Sequence, residues 1–241
     1  LKMLESIDVT KKYRGKTAVD GISMKLEPGH IYAMLGPNGS GKTTWMKMAA
    51  ALTKPTSGNI YFDGQPVGVA SRSKIAYMST EPFFYDWMTI EDVGKYYQDF
   101  FEDFSMGRFK EMLSEMELES KQKCRELSSG MLAKLKVAVT MARDAVVYML
   151  DEPLNGIDLL ARDAVVNVII RHAGEGKIIL VSSHLVEEME SFVDRAVFVH
   201  AGKLVGIYDV EELRQAQGIS LADKYRKVYS SVVGGELWWE N

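Results

Sequence analysis

Gly36-Pro37-Asn38-Gly39-Ser40-Gly41-Lys42-Thr43 is the stretch on which the reading of this chain turns. It fills every fixed position of the pattern G-x-x-x-x-G-K-[ST]. A predicted strand, His30 to Leu35, precedes it, and a predicted helix from about Lys42 to Ala51 follows. The glycines let backbone N–H groups turn inward around phosphate oxygens, and the helix start adds positive potential. Lys42 is expected to reach the β- and γ-phosphates of a nucleotide, and the Thr43 hydroxyl to ligate Mg²⁺. Asn38, Gly39, Ser40, Gly41 and Thr44 complete the expected phosphate site. A chance glycine-rich turn would not fill the whole pattern in this strand–helix context.

Far downstream, Val146-Val147-Tyr148-Met149-Leu150 reads as a buried strand running into Asp151-Glu152. Alone, an acid pair at a strand end is often a helix cap or a solvated turn. Paired with the loop at Lys42 it supplies what a hydrolytic nucleotidase needs. Asp151 can hold Mg²⁺ through water, and Glu152 can polarise the attacking water.

Around these motifs the texture is α/β. Leu4 to Leu26 alternates and turns at Gly15, suggesting antiparallel strands. Ile60-Tyr61-Phe62 closes on Asp63-Gly64, a hairpin signal, and Lys74 to Met78 reads as another strand. From Pro82 to Arg143 helical spacing takes over, with Met106, Phe109, Met112, Leu113 and Met116 on one face. A helix is expected over Arg162 to Ala173, followed by strands at Lys177 to Ser182 and Ala196 to His200. No internal repeat appears, so one nucleotide-binding unit is expected.

Composition limits the partners. The 241 residues are 46% hydrophobic and 26% charged, with a formal net charge of −4. That balance argues against nucleic acid as a partner, since counterion release requires a basic face. The cluster Lys11, Lys12, Arg14 and Lys16 reads as a solvated turn. The single cysteine, Cys124, excludes an intrachain disulfide and fits a reducing compartment. No apolar run approaches the roughly 18 residues of a membrane span, and Leu1 to Glu5 lacks the apolar core of a signal peptide. A membrane role would therefore need a span from another subunit.

Leu127-Ser128-Ser129-Gly130-Met131, between the two nucleotide motifs, resembles the signature motif of ABC ATPases, usually L-S-G-G-Q. Leu154-Asn155-Gly156-Ile157-Asp158 is similar to that family's D-loop. Ser182-Ser183-His184 is similar to its switch histidine, and Tyr13 to its adenine-stacking aromatic. The resemblance covers about residues 4–213. It implies an α/β fold of the P-loop NTPase class, an ABC-type ATPase domain. That domain would have a RecA-like core and antiparallel β subdomain (1–80 and 144–213), an inserted helical subdomain (81–143) and a C-terminal helical tail (214–241).

It also implies ATP and Mg²⁺ as cofactors, with Lys42, Glu152 and His184 as catalytic residues. Ser128, Ser129 and Gly130 would face the ATP of a second ATPase subunit, identical or related. A transmembrane permease subunit would be the other partner, placing the chain peripherally on the cytoplasmic face of the cell membrane. The altered signature and short tail look more like bacterial drug and antimicrobial-peptide exporters than sugar importers, which often carry a long C-terminal regulatory domain. A soluble ATPase serving an assembly scaffold, as in iron–sulfur cluster biogenesis, is the alternative the resemblance leaves.

The sequence departs from the family in two places. Where a glutamine is usual after the strand Ile75-Ala76-Tyr77-Met78, Thr80 stands, with Glu81 next. Thr80 is too short to repeat the glutamine's reach to the metal, and Glu81 or a water would have to fill the gap. The signature has Ser129 and Met131 in place of a glycine and a glutamine. Of the aromatics that follow, Phe83, Phe84, Tyr85, Trp87, Tyr96, Tyr97, Phe100, Phe101 and Phe104, about half are expected in the helical core. The rest would form a docking patch. The terminal Trp238-Trp239 pair is read either as a surface contact or as packed back on the domain.

Overall fold

The computed structural model describes residues 2–81, 83–172, 174 and 176–232. Its centre is a six-stranded sheet in the order β10-β9-β3-β8-β7-β6. Strands β3 (His30–Leu35), β6 (Ile75–Met78), β7 (Val147–Asp151), β8 (Ile178–Ser183) and β9 (Arg195–His200) run parallel, and β10 (Lys203–Asp209) pairs antiparallel with β9 at the edge. The inner strands are nearly continuous apolar runs because both faces are covered.

Alternate residues divide between those two faces. Tyr32, Met34, Val147, Met149, Ile178 and Leu180 pack with Trp45 and Met46 of helix α1 (Lys42–Ala49). They share that layer with a second, antiparallel sheet of β1 (Leu4–Tyr13), β2 (Lys16–Leu26), β4 (Ser57–Phe62) and β5 (Gln65–Pro66), in the order β2-β1-β4-β5. Ala33, Leu35, Tyr148, Leu150, Ile179 and Val181 face the opposite layer, which holds the remaining helices.

Helices α2 (Ile90–Phe100), α3 (Met106–Glu115) and α4 (Ser129–Met141) form the inserted helical segment. Helix α2 starts on a capping box between Thr89 and Asp92, two donors satisfied reciprocally. Helix α4 carries the insertion back to the sheet, its second half buried from Leu135 onward. Arg143 fixes that return. Its guanidinium pairs with both carboxylate oxygens of Asp103 at 3.1 and 3.2 Å, donates to the Ile75 and Arg72 carbonyls, and lies 4.1 Å from the Phe101 ring centroid.

The expected helix at residue 162 begins earlier, as α5 (Leu159–His172), with the Asp158 carboxylate accepting from the Ala161 N–H at its start. After β8 come α6 (Val186–Met189), α7 (Val210–Gln217) and α8 (Leu221–Val232). The Trp238-Trp239 pair lies outside the described residues. Among the described residues no helix is long and apolar enough to cross a membrane.

Candidate functional site

The parallel strands aim their carboxyl ends at one edge, the usual place for a ligand crevice in such sheets. Strand register sets which residues meet there: Leu35 lies beside Ser183, and Asp151 beside Ser182. The loop after β3, the Asp151-Glu152 pair after β7 and His184 after β8 are therefore neighbours despite their separation in sequence. The glycine loop, Glu152 and His184 line a cavity of about 470 Å³, whereas Asp151 is fully buried and is not part of its lining.

Asn38, Gly39, Ser40, Gly41, Lys42, Thr43 and Thr44 form one wall, with Tyr13, Thr80, Glu152, Asn155 and His184 around the rest. Two glycines show why the loop tolerates no side chain at those points. A Cβ on Gly36 would sit 2.2 Å from the Val199 carbonyl oxygen, and one on Gly41, at φ +106, 2.4 Å from that of Ala18. Ser40 Oγ is buried without a hydrogen-bond partner among the described residues. A buried polar atom of that kind in a glycine loop suits a phosphate ligand.

Lys42 is buried and donates to the Gly36 carbonyl at 2.6 Å. Burial pushes its pKa down, against the opposing pull of the Glu152 and Asp151 carboxylates. Its Nζ lies 3.9 Å from Glu152 Oε1. The loop thus presents a buried cation at the wall of the cavity.

Asp151 is fully buried at the end of β7, with Ser182 Oγ donating at 2.5 Å and the Tyr77 hydroxyl at 3.2 Å. Burial and that carboxylate hold the Tyr77 phenol firmly protonated. Glu152 adopts φ +51, uncommon for a residue with a side chain. Ser182 Oγ accepts its N–H at 3.0 Å, and His184 Nδ1 lies 3.0 Å from its Oε2. The strained backbone and these two contacts point the carboxylate into the cavity.

Thr80 is exposed and lines the cavity, whereas Glu81 is not among the lining residues. Tyr13, 51% exposed, stands at the rim with the Lys11 ammonium 5.2 Å from its ring centroid. Lys16 and Ala18 also line the cavity. Lys16 is exposed beside the expected turn, and the β1–β2 hairpin also carries it to the cavity.

Besides the buried Asp151, the expected site residues Ser128, Ser129 and Gly130 do not line this cavity. Ser128 caps α4, accepting the Met131 N–H at 3.2 Å. Ser129 and Gly130 pack against Gly156, the same loop that carries Asn155 into the cavity wall. Behind the glycine loop stands a residue the sequence did not flag. Tyr229 of α8 donates to the Val199 carbonyl at 2.7 Å and reaches that of Leu35 at 3.3 Å.

The family model described as "ABC transporter" matches residues 19–155. The chain belongs to that family. Among its ABC relatives, the ABC transporter ATP-binding protein YtrB of Bacillus subtilis is 30% identical over 216 residues, covering 88% of this chain and 74% of YtrB. The lantibiotic transport ATP-binding protein SrtF of Streptococcus pyogenes is 30% identical over 219 residues, 88% of this chain and 95% of SrtF. A solved ABC cassette, a dimer in a post-hydrolysis state bound to ADP and Pi, superposes with a TM-score of 0.76 at 21% identity. That superposition covers 86% of this chain and 98% of the cassette. The chain is thus an ABC ATPase with the expected α/β fold, a parallel core flanked by an antiparallel sheet and helices.

Proposed function

We propose that this ABC ATPase closes head-to-tail with a second ATPase subunit on two Mg·ATP and so drives a membrane permease that exports a peptide or drug. One observation carries the reading. Phosphate-loop, acidic and histidine residues surround a single cavity, while Ser128–Gly130 stand outside it, free to complete the cavity of a partner chain. The dimeric ABC cassette holding ADP and Pi supports the pairing, and SkfE of Bacillus subtilis, a peptide export ATP-binding protein 31% identical over 212 residues, supports the direction of export.

In this reading Tyr13 stacks on the adenine, and the N–H groups of the loop from Asn38 to Thr44 hold the phosphates. Lys42 offsets charge at the β- and γ-phosphates. Thr43, with Asp151 and Thr80, would hold Mg²⁺, which would offset the charge on the phosphate oxygens. Glu152, held by Ser182 and His184, accepts the proton of the attacking water. His184 then sits beside both the base and the γ-phosphate.

The exposed aromatics suit the permease contact. Tyr85 and Trp87 stack at 5.7 Å and are 57% and 65% exposed, with Phe83, Tyr96 and Phe100 also exposed. Met88 and Phe104 are buried, and Phe84, Tyr97 and Phe101 pack against the core. An apolar group that large on one segment is typical of an interaction site.

Co-expression tests the reading. With a permease partner co-expressed, the chain should sediment with membranes, and without one stay in the supernatant. A chain that instead copurifies with a soluble assembly scaffold would overturn the transport reading.

A further inference from the structure

Lys136 occupies a place where an ammonium is costly. It lies within α4, 6% exposed, between Leu135 and Val137, both fully buried. Among the described residues its ammonium has one hydrogen-bond partner, the Thr80 carbonyl at 2.8 Å. Burial pushes the Lys136 pKa down, and the Asp151 carboxylate only partly opposes this. Desolvating an ammonium for one neutral acceptor does not favour folding, and an apolar side chain of similar length would pack there at lower cost. Fold stability therefore does not explain a lysine at this position.

Its partner does. Thr80 lines the nucleotide cavity, and among the described residues Lys136 supplies the only side-chain hydrogen bond that Thr80 receives. Glu81, next in the loop, bonds only locally, its N–H to Ser79 Oγ at 3.2 Å. The same helix begins at Ser128–Gly130, the residues assigned above to the partner's nucleotide.

We propose that Lys136 is a positioning residue for ATP hydrolysis. Its ammonium holds the Thr80 carbonyl, and with it the loop after β6, at the cavity edge, and ties that loop to the helix bearing the signature residues. The proposal rests on the ATPase site described above. Thr80 has too short a side chain to anchor the loop by its own reach, so the backbone is held from behind. Loop and helix then move as one body when nucleotide enters.

The test compares wild type, Lys136→Met and Lys134→Met. Lys134 lies on the same helix and donates to the Met116 carbonyl at 3.1 Å, away from the cavity. Lys136→Met keeps the unbranched stem as far as Cε and removes the ammonium. The expected result is an unchanged or higher melting temperature without nucleotide, ATP affinity and KM within about twofold, and kcat lowered about tenfold. Lys136→Gln, which can still donate to a carbonyl, should recover part of kcat, and Lys134→Met should retain it. If Lys136→Met loses stability and keeps kcat, the residue is structural and the proposal falls. It falls too if Lys134→Met loses kcat as much as Lys136→Met. A wild-type chain that neither binds nor hydrolyses ATP would instead overturn the reading of the site itself.

Discussion

Tyr229→Phe removes one oxygen from the back of the phosphate loop and little else. Phenylalanine keeps the stack on Tyr225, with ring centroids at 4.1 Å, and the edge contact with His200 at 5.5 Å. The hydrogen bond to Val199 at 2.7 Å and the weaker contact with Leu35 at 3.3 Å are lost. A buried carbonyl deprived of its donor costs about 1–3 kcal/mol. For a chain of this size each kcal/mol moves the melting temperature by about 2–4 °C, so a drop of roughly 5 °C is expected. Part of that loss should reach the nucleotide. Leu35 leads directly into Gly36, whose carbonyl accepts the Lys42 ammonium. A share of about 0.7 kcal/mol at the loop would weaken ATP binding roughly threefold. Thermal melts and titration with a fluorescent ATP analogue read both effects. Wild-type melting and wild-type affinity in the variant would refute this role for α8.

Arg143→Met should destabilise the fold by about 3–5 kcal/mol, because it leaves Asp103 without its buried partner; denaturant unfolding measures this, and a change under 1 kcal/mol would contradict it. Lys42→Ala should weaken ATP binding and abolish turnover by removing the cation at the β/γ-phosphates, and equal ATP affinity in both proteins would refute the placement of the loop.

The phosphate loop, the Asp151-Glu152 strand end and the helical texture between them were legible because each is local. A strand-to-loop-to-helix junction and a five-residue apolar run carry their own signal. What escaped the sequence depends on pairing across the fold. Lys136 sits in what reads as an ordinary helix, and only the packing of α4 under β6 brings it to Thr80. Lys16 is exposed as read, but nothing local indicates that its hairpin also reaches the cavity beside the glycine loop. Tyr229 contacts strand ends more than 25 residues away, at Val199 and Leu35. Arg143 was only the end of a helical stretch until Asp103 and the Ile75 carbonyl came beside it. The Thr80-or-Glu81 choice was open in sequence, since the two are adjacent, and the turn after β6 leaves Thr80 on the cavity wall.

The central claim is that Glu152 is the base of an ATPase that works as a dimer. The most direct measurement is Mg·ATP turnover of wild type and Glu152→Gln, with size-exclusion of both in the presence of Mg·ATP. Glutamine keeps the shape but is a far poorer base, so turnover should fall by about 10²–10⁴-fold. ATP binding should survive, and the variant should elute as a nucleotide-bound dimer. Wild-type hydrolysis by Glu152→Gln would contradict the account.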